Sequence, residues 1–188
     1  MNRLEKTDAE IINSILDGKT DNFGILVDRY EKLVFSFLLS RSSVAQEVED
    51  VVQETFIKAY NHLSTFDCER KFSSWLLAIA RNVMIDLKRK SGRDLPSDDV
   101  VIDVLLSDSA KNMADETAEV LLRKERFRQI IAMIRSLPEE FKSPFILRVV
   151  NEMSYQDIAD ALELPLQTVK NRIFKARALM REKSEKTL

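Results

Sequence analysis

The chain is poor in the residues that build metal sites, disulfides and tight turns. One cysteine in 188 residues excludes an intramolecular disulfide and a cysteine-rich zinc site. The one histidine, His62, has no cysteine pair near it, so no histidine-based metal site is expected. Three glycines and four prolines are few for a turn-rich β fold and favour long helices. No apolar run approaches the roughly 18 residues of a membrane span. Met1 to Glu10 is polar and charged, unlike a signal peptide. The expected location is therefore the cytoplasm. There is also no glycine-rich phosphate loop and no nucleophile–base pair, and the carboxylates are scattered over helix surfaces. Neither enzyme chemistry nor a cofactor is expected.

What is present is a mixed-sign, helix-forming chain. Hydrophobic residues make up 45%, enough for packed cores, and charged residues 32%, with a formal net charge of −2. The distribution matters more than the sum. Arg81, Lys88, Arg89, Lys90 and Arg93 form one basic cluster. Lys170, Arg172, Lys175, Arg177, Arg181, Lys183 and Lys186 form another. Between them Asp94, Asp98, Asp99, Asp103, Asp108, Asp115, Glu116 and Glu119 are opposed only by Lys111. Two basic patches on an acidic tether point to two DNA-contacting modules.

The richest stretch is Leu137 to Lys183, LPEEFKSPFILRVVNEMSYQDIADALELPLQTVKNRIFKARALMREK. It reads as helix, helix, tight turn, helix. Ser154 with Asp157 has capping-box spacing, and Ile158, Ala159 and Leu162 give that helix an apolar face. Pro165 marks the turn. In the last helix Val169, Ile173, Ala176 and Met180 share one stripe at about 100° per residue. Gln167, Lys170, Asn171, Phe174 and Lys175 fall on the other side. A large aromatic among cations is odd on a solvated helix and natural in a DNA major groove, where amides and cations reach base edges and a ring meets a thymine methyl. Periodicity alone leaves a plain basic surface helix equally open. Pro144, inside the first helix, removes one backbone hydrogen bond and is expected to kink or delay it.

The wording of this stretch resembles region 4 of an extracytoplasmic-function (ECF) sigma factor, the promoter-specificity subunit of bacterial RNA polymerase. The resemblance implies −35 promoter contacts through Arg148, Lys170, Asn171, Phe174 and Lys175, with Arg172 and Arg177 mainly on phosphates or in helix packing. It departs at Glu163 and Gln167, where many family members have glycine, so this turn must form without glycine's freedom in φ.

In the N-terminal half, Thr7 and Glu10 read as a capping box, with Ile11, Ile12, Ile15 and Leu16 inside and Gly18 as the stop. A second helix spans about Asn22 to Ser40. Ser43 with Gln46 caps a third, whose inner stripe is Val44, Val48, Val51, Thr55 and Ala59. Asp50, Gln53 and Glu54 lie on a different face, which charge alone would make a solvated one. Ser64 to Lys71 is a polar loop. Phe72, Trp75, Leu76, Ile79, Val83 and Leu87 then share one face of a helix ending near Ser91–Gly92. EVEDVVQETFIKAYNHLSTF and KFSSWLLAIARNVMIDLKRKSGR resemble sigma regions 2.2 and 2.3–2.4. This implies that Asp50, Gln53 and Glu54 dock on the polymerase β′ clamp helices. It also implies that the loop from Phe66 to Phe72, with Lys71 and with Asn82 nearby, holds a flipped base of the melted −10 element. A flipped base needs a cavity, backbone hydrogen bonds and a π surface. Arg81, Lys88, Arg89 and Lys90 would hold phosphates. Trp75 falls by its spacing with the core residues, and stacking on a DNA base is its alternative role. Cys68 is an exposed loop thiol with no resolving partner.

The expectation is an all-α chain of two small helical domains. Residues 1–93 correspond to sigma region 2 and residues 117–188 to helix-turn-helix region 4, with an acidic flexible linker at 94–116 that is either a spacer or a strand threading the polymerase. The resemblance further implies core RNA polymerase (β′ clamp helices and β flap), promoter DNA and an anti-sigma factor as partners. A free-standing helix-turn-helix regulator, a hydrolytic or nucleotide-modifying enzyme and a helical adaptor are the other classes weighed. The acidic linker and the melting-region wording count against the first, and the groove-type face against the last.

Overall fold

The computed structural model describes residues 6–41, 45–91, 129–130 and 132–187, and there is no strand among them. The N-terminal helices are α1 (Asp8–Leu16), α2 (Phe23–Leu39), α3 (Ala45–Asn61) and α4 (Phe72–Ser91). The C-terminal set is α5 (Glu139–Val149), α6 (Tyr155–Leu162) and α7 (Leu166–Thr187). The acidic stretch at 94–116 and the Ser43 cap lie outside the described residues. Of residues 117–136, those at 129–130 and 132–135 are described as helical.

Local chemistry sets the helix ends. Thr7 and Glu10 form the reciprocal box that opens α1. Glu10 N donates to Thr7 Oγ1 at 3.3 Å, and Thr7 N donates to Glu10 Oε2 at 2.7 Å. Gly18, at φ 96°, closes it. Its N–H reaches the Ile15 carbonyl at 3.0 Å, and Lys19 N reaches Ser14 O at 3.1 Å, the bonding of a Schellman turn. The same turn ends α6. Leu164 N donates to Ala159 O at 3.0 Å, but the left-handed position is held by Glu163, at φ 54°. A β-carbon there costs about 1–2 kcal/mol relative to glycine, so the expected glycine-free turn forms at the price of strain. α5 runs through Pro144, which is buried.

The N-terminal core is a layer of aliphatic and aromatic side chains. Ile11, Ile12, Leu26, Phe37, Val48, Leu63, Phe72 and Leu76 are each at most 2% exposed. The stripe read for α3 is buried at Val48, Val51, Thr55 and Ala59, joined by Val52 and Phe56. Leu16 does not join the core as expected: it is 50% exposed, because it stands on the last turn of α1 beyond the inward Ile11–Ile15 face. Ile130 is also exposed, at 45%. Ile134 and Leu137 instead pack with Phe145, Ile146 and Ala176 in a small second cluster.

The two helical sets share one hydrophobic body. The main cluster runs from the N-terminal residues through to Leu147, Ile158, Ala161, Leu162, Val169 and Ile173. α6 lies on α4, and α5 lies on α2. At the second contact the hydroxyls of Ser40 and Ser143 are 2.9 Å apart and buried, and Arg41 Nε donates to Ser143 Oγ at 3.3 Å. α4 is therefore covered on more than one side. This explains why Leu77, Ala80 and Met84 are buried along with the single stripe that the sequence pattern marks.

Candidate nucleic-acid interface

α7 is amphipathic in the way its spacing predicts. Val169, Ile173 and Ala176 are at most 1% exposed, and they fix which side faces out. Gln167, Lys170, Asn171, Phe174 and Lys175 are all exposed. The Phe174 ring is 76% exposed, more than any other exposed large hydrophobic residue described. Gln167 Nε2 donates to Asn171 Oδ1 at 3.0 Å, one turn apart, which aligns both amides along the same face. Arg177 is exposed two turns further on from Lys170.

Two residues expected near the promoter are held within the C-terminal set. Arg148 Nη1 donates to the Met153 carbonyl at 2.7 Å, and its guanidinium lies over the Tyr155 ring at 4.9 Å. Arg172 pairs with Glu140 at 3.5 Å. Arg148 thus stitches the α5–α6 connection, a role that its basic charge alone did not reveal.

On the N-terminal set, Asp50, Gln53 and Glu54 are exposed, and Glu54 pairs loosely with Lys58 at 3.8 Å along the helix. In the loop after α3, Phe66 packs edge-on to Phe72 at 5.5 Å and tilted to Trp75 at 5.1 Å. Phe72 is only 1% exposed, so its ring is the floor of this aromatic group and presents no face to a base. Phe66 and Trp75 are half-buried above it. Asn82 is exposed. Lys88 Nζ donates to the Arg41 carbonyl at 2.9 Å, and Arg89 pairs with Asp86 at 2.6 Å.

The remaining cations of this face meet α6. Lys71, Ser74 and Arg81 are spaced by three and seven residues and so share one side of the chain entering and forming α4. Lys71 Nζ lies 2.7 Å from Asp157 Oδ2, and Ser74 Oγ donates to the Asp157 carbonyl at 3.1 Å. Arg81 donates to the Leu162 carbonyl at 2.9 Å and pairs with Glu163 at 2.6 Å. Burial works to raise the Asp157 carboxyl, but hydrogen bonds from Lys71 and Ser154 outweigh it and hold the group below the usual carboxylate range. Sequence reading missed these partners. The one local signal was a glutamate standing where a left-handed turn prefers glycine.

Residues 26–94 match the family model of sigma-70 region 2, and residues 127–180 match that of sigma-70 region 4. The chain is 34% identical over 185 residues to the ECF RNA polymerase sigma-E factor of Haemophilus influenzae, covering 94% of this chain and 95% of that protein. It is 37% identical over 174 residues to the protein of the same name from Escherichia coli K12, covering 91% of each. The chain belongs to the ECF sigma factors of the sigma-70 family. Among solved structures, this sigma factor is similar to CnrH in complex with the cytosolic domain of CnrY. The TM-score is 0.67 at 25% identity, covering 95% of this chain and 97% of that one. It also shares its fold with the sigma factor RpoE, solved with the anti-sigma factor NepR from Bartonella quintana. There the TM-score is 0.63 at 23% identity, covering 86% and 95% of the two chains. It is an alternative sigma factor, and among the described residues no helix is long and apolar enough to cross a membrane.

Proposed function

We propose that this sigma factor brings core RNA polymerase to its promoters in the cytoplasm through two modules, residues 1–93 and 117–188, joined at 94–116. The chemistry of RNA synthesis belongs to the polymerase. Lys170, Asn171, Phe174 and Lys175 read −35 duplex in the major groove, with Arg177 on a phosphate. Phe66, Lys71, Asn82, Arg81, Lys88 and Arg89 serve the melted −10 strand, Phe72 supporting the Phe66 ring from below. Asp50, Gln53 and Glu54 dock on the polymerase, where an acidic, amide-rich face suits a basic coiled coil. An anti-sigma factor holds the protein inactive, as the solved relatives bound to CnrY and NepR suggest by analogy.

The observation that carries this reading is the Phe174 ring, 76% exposed among cations and amides on the face opposite a fully buried stripe. A soluble helix gains nothing by exposing phenylalanine there, whereas a groove-reading helix does. In vitro transcription tests it. Purified protein, core polymerase and a promoter library are expected to give initiation that depends on both proteins and selects sequence. Absence of such initiation refutes it. Tight binding to a palindromic duplex without polymerase would favour a free-standing regulator instead.

A further inference from the structure

Gln167 and Asn171 are the second and sixth residues of α7, in the part of a groove-reading helix that reaches base edges. Both are exposed, on the side away from the buried Val169 and Ile173, so neither packs into the core. Yet the two are joined: Gln167 Nε2 donates to Asn171 Oδ1 at 3.0 Å. Amides bonded one helical turn apart on an exposed face add little to helix stability.

The bond matters more for what Asn171 can offer a ligand. An amide oxygen has two lone pairs, and an amide nitrogen has two hydrogens. Gln167 takes one lone pair of Oδ1 and so sets which end of the Asn171 amide faces the start of the helix. One lone pair on Oδ1 and the two hydrogens on Nδ2 stand outside that bond. In the major groove, adenine presents a donor, N6, beside an acceptor, N7. Guanine presents two acceptors, thymine an acceptor and a methyl, and cytosine a donor. An amide with one acceptor and one donor side by side therefore makes a matched pair of bonds to adenine and to no other base.

We propose that Gln167 is a positioning residue for −35 recognition: it holds the Asn171 amide ready for paired hydrogen bonds to one adenine, and so makes adenine the preferred base at that position. This rests on the reading of Asn171 as a −35 contact. The gain lies in ordering. An unsupported asparagine must fix its side chain when it binds, whereas the bond from Gln167 does part of that ordering before DNA arrives.

Transcription by the full chain with core polymerase, from promoters randomised across the −35 element, tests this. The wild-type chain is expected to prefer adenine at one position by at least about fivefold, the lower end for a paired base contact. Asn171→Ala should erase that preference and leave the other positions as they were. Gln167→Ala should lower it about twofold at the same position only. In the Asn171→Ala background it should have no further effect there, because the two amides act as one unit. A loss on Gln167→Ala spread evenly over all sequences would make Gln167 a phosphate contact and overturn the proposal. So would an unchanged preference in that variant, or relaxation by Asn171→Ala at a position where adenine is not preferred. Phe174→Ala separates the proposal from the wider reading of α7. If that variant relaxes selection at its own position while neither amide variant changes any, the groove-reading face stands and the role of the amide pair falls.

Discussion

Two neighbouring residues of α7 make opposite predictions, and together they test which way the helix faces. Phe174 is 76% exposed, so folding removes only about a quarter of its side chain from water. Complete burial of a phenylalanine is worth about 1.5–3 kcal/mol, so Phe174→Ala should cost about 0.4–0.7 kcal/mol of stability. Ile173 is 1% exposed within the core cluster, and its truncation to alanine should cost about 2–5 kcal/mol. Promoter binding should show the reverse pattern. Loss of the Phe174 ring from the groove should weaken selection by about 1–3 kcal/mol at one base-pair position, the range for a specific base contact. Urea denaturation of the isolated chain gives the stabilities. Transcription from promoters varied at each −35 position, with purified holoenzyme, gives the selectivity. The reasoning fails if Phe174→Ala unfolds the protein at a cost near that of Ile173→Ala. It fails equally if the stable variant selects promoters as the wild type does.

Other outcomes follow from the same geometry. Lys170→Ala should leave stability within about 0.5 kcal/mol. If it reads a base, preference at one position should relax. A uniform loss with a shallower salt slope, measured by fluorescence anisotropy on −35 duplexes, would make it a phosphate contact. Phe72→Ala should cost about 3–5 kcal/mol in denaturation, as for a ring that is 1% exposed. Asp50→Lys combined with Glu54→Lys should abolish capture by core polymerase in a pull-down while leaving the circular dichroism spectrum intact, because both residues are exposed. The lowered Asp157 group gives a pH signature. Its contribution is fully present above the ordinary carboxylate value and is lost as pH falls through the lowered folded value, so wild-type stability should decline more steeply in that acid window than that of Asp157→Asn.

Much of the fold was legible because periodicity and caps act locally. The Thr7–Glu10 box, the Gly18 stop, the Ser154 cap and the Val169–Ile173–Ala176 stripe each depend on residues within a turn or two of one another. What escaped depended on distant partners. Leu16 is apolar and at helical spacing, yet nothing in its own helix says that the bundle ends before reaching it. Arg148 carries the charge of a DNA contact, but the Met153 carbonyl and the Tyr155 ring claim its guanidinium after the chain turns back. Phe72 was read both as core and as part of the base pocket; its burial leaves it the first role, with the half-buried Phe66 above it.

α4 shows most clearly why charge pattern alone underdetermines a binding face. Lys71 and Arg81 share a side with Ser74, and the spacing is that of any cationic stripe awaiting an anion. A phosphate chain and a pair of carboxylates satisfy such a stripe equally well in geometry, with nitrogen–oxygen distances of 2.6–2.7 Å to Glu163 and Asp157 in this protein. They differ in how many charges they bring and in whether they can leave. Two tethered carboxylates compete at high effective concentration but offer only two contacts, whereas a DNA strand adds a charge with every nucleotide and is held by the polymerase as well. A cationic stripe legible in the sequence is thus occupied here by the protein's own carboxylates, which lie 83 or more residues further along the chain than Ser74 and were not legible with it.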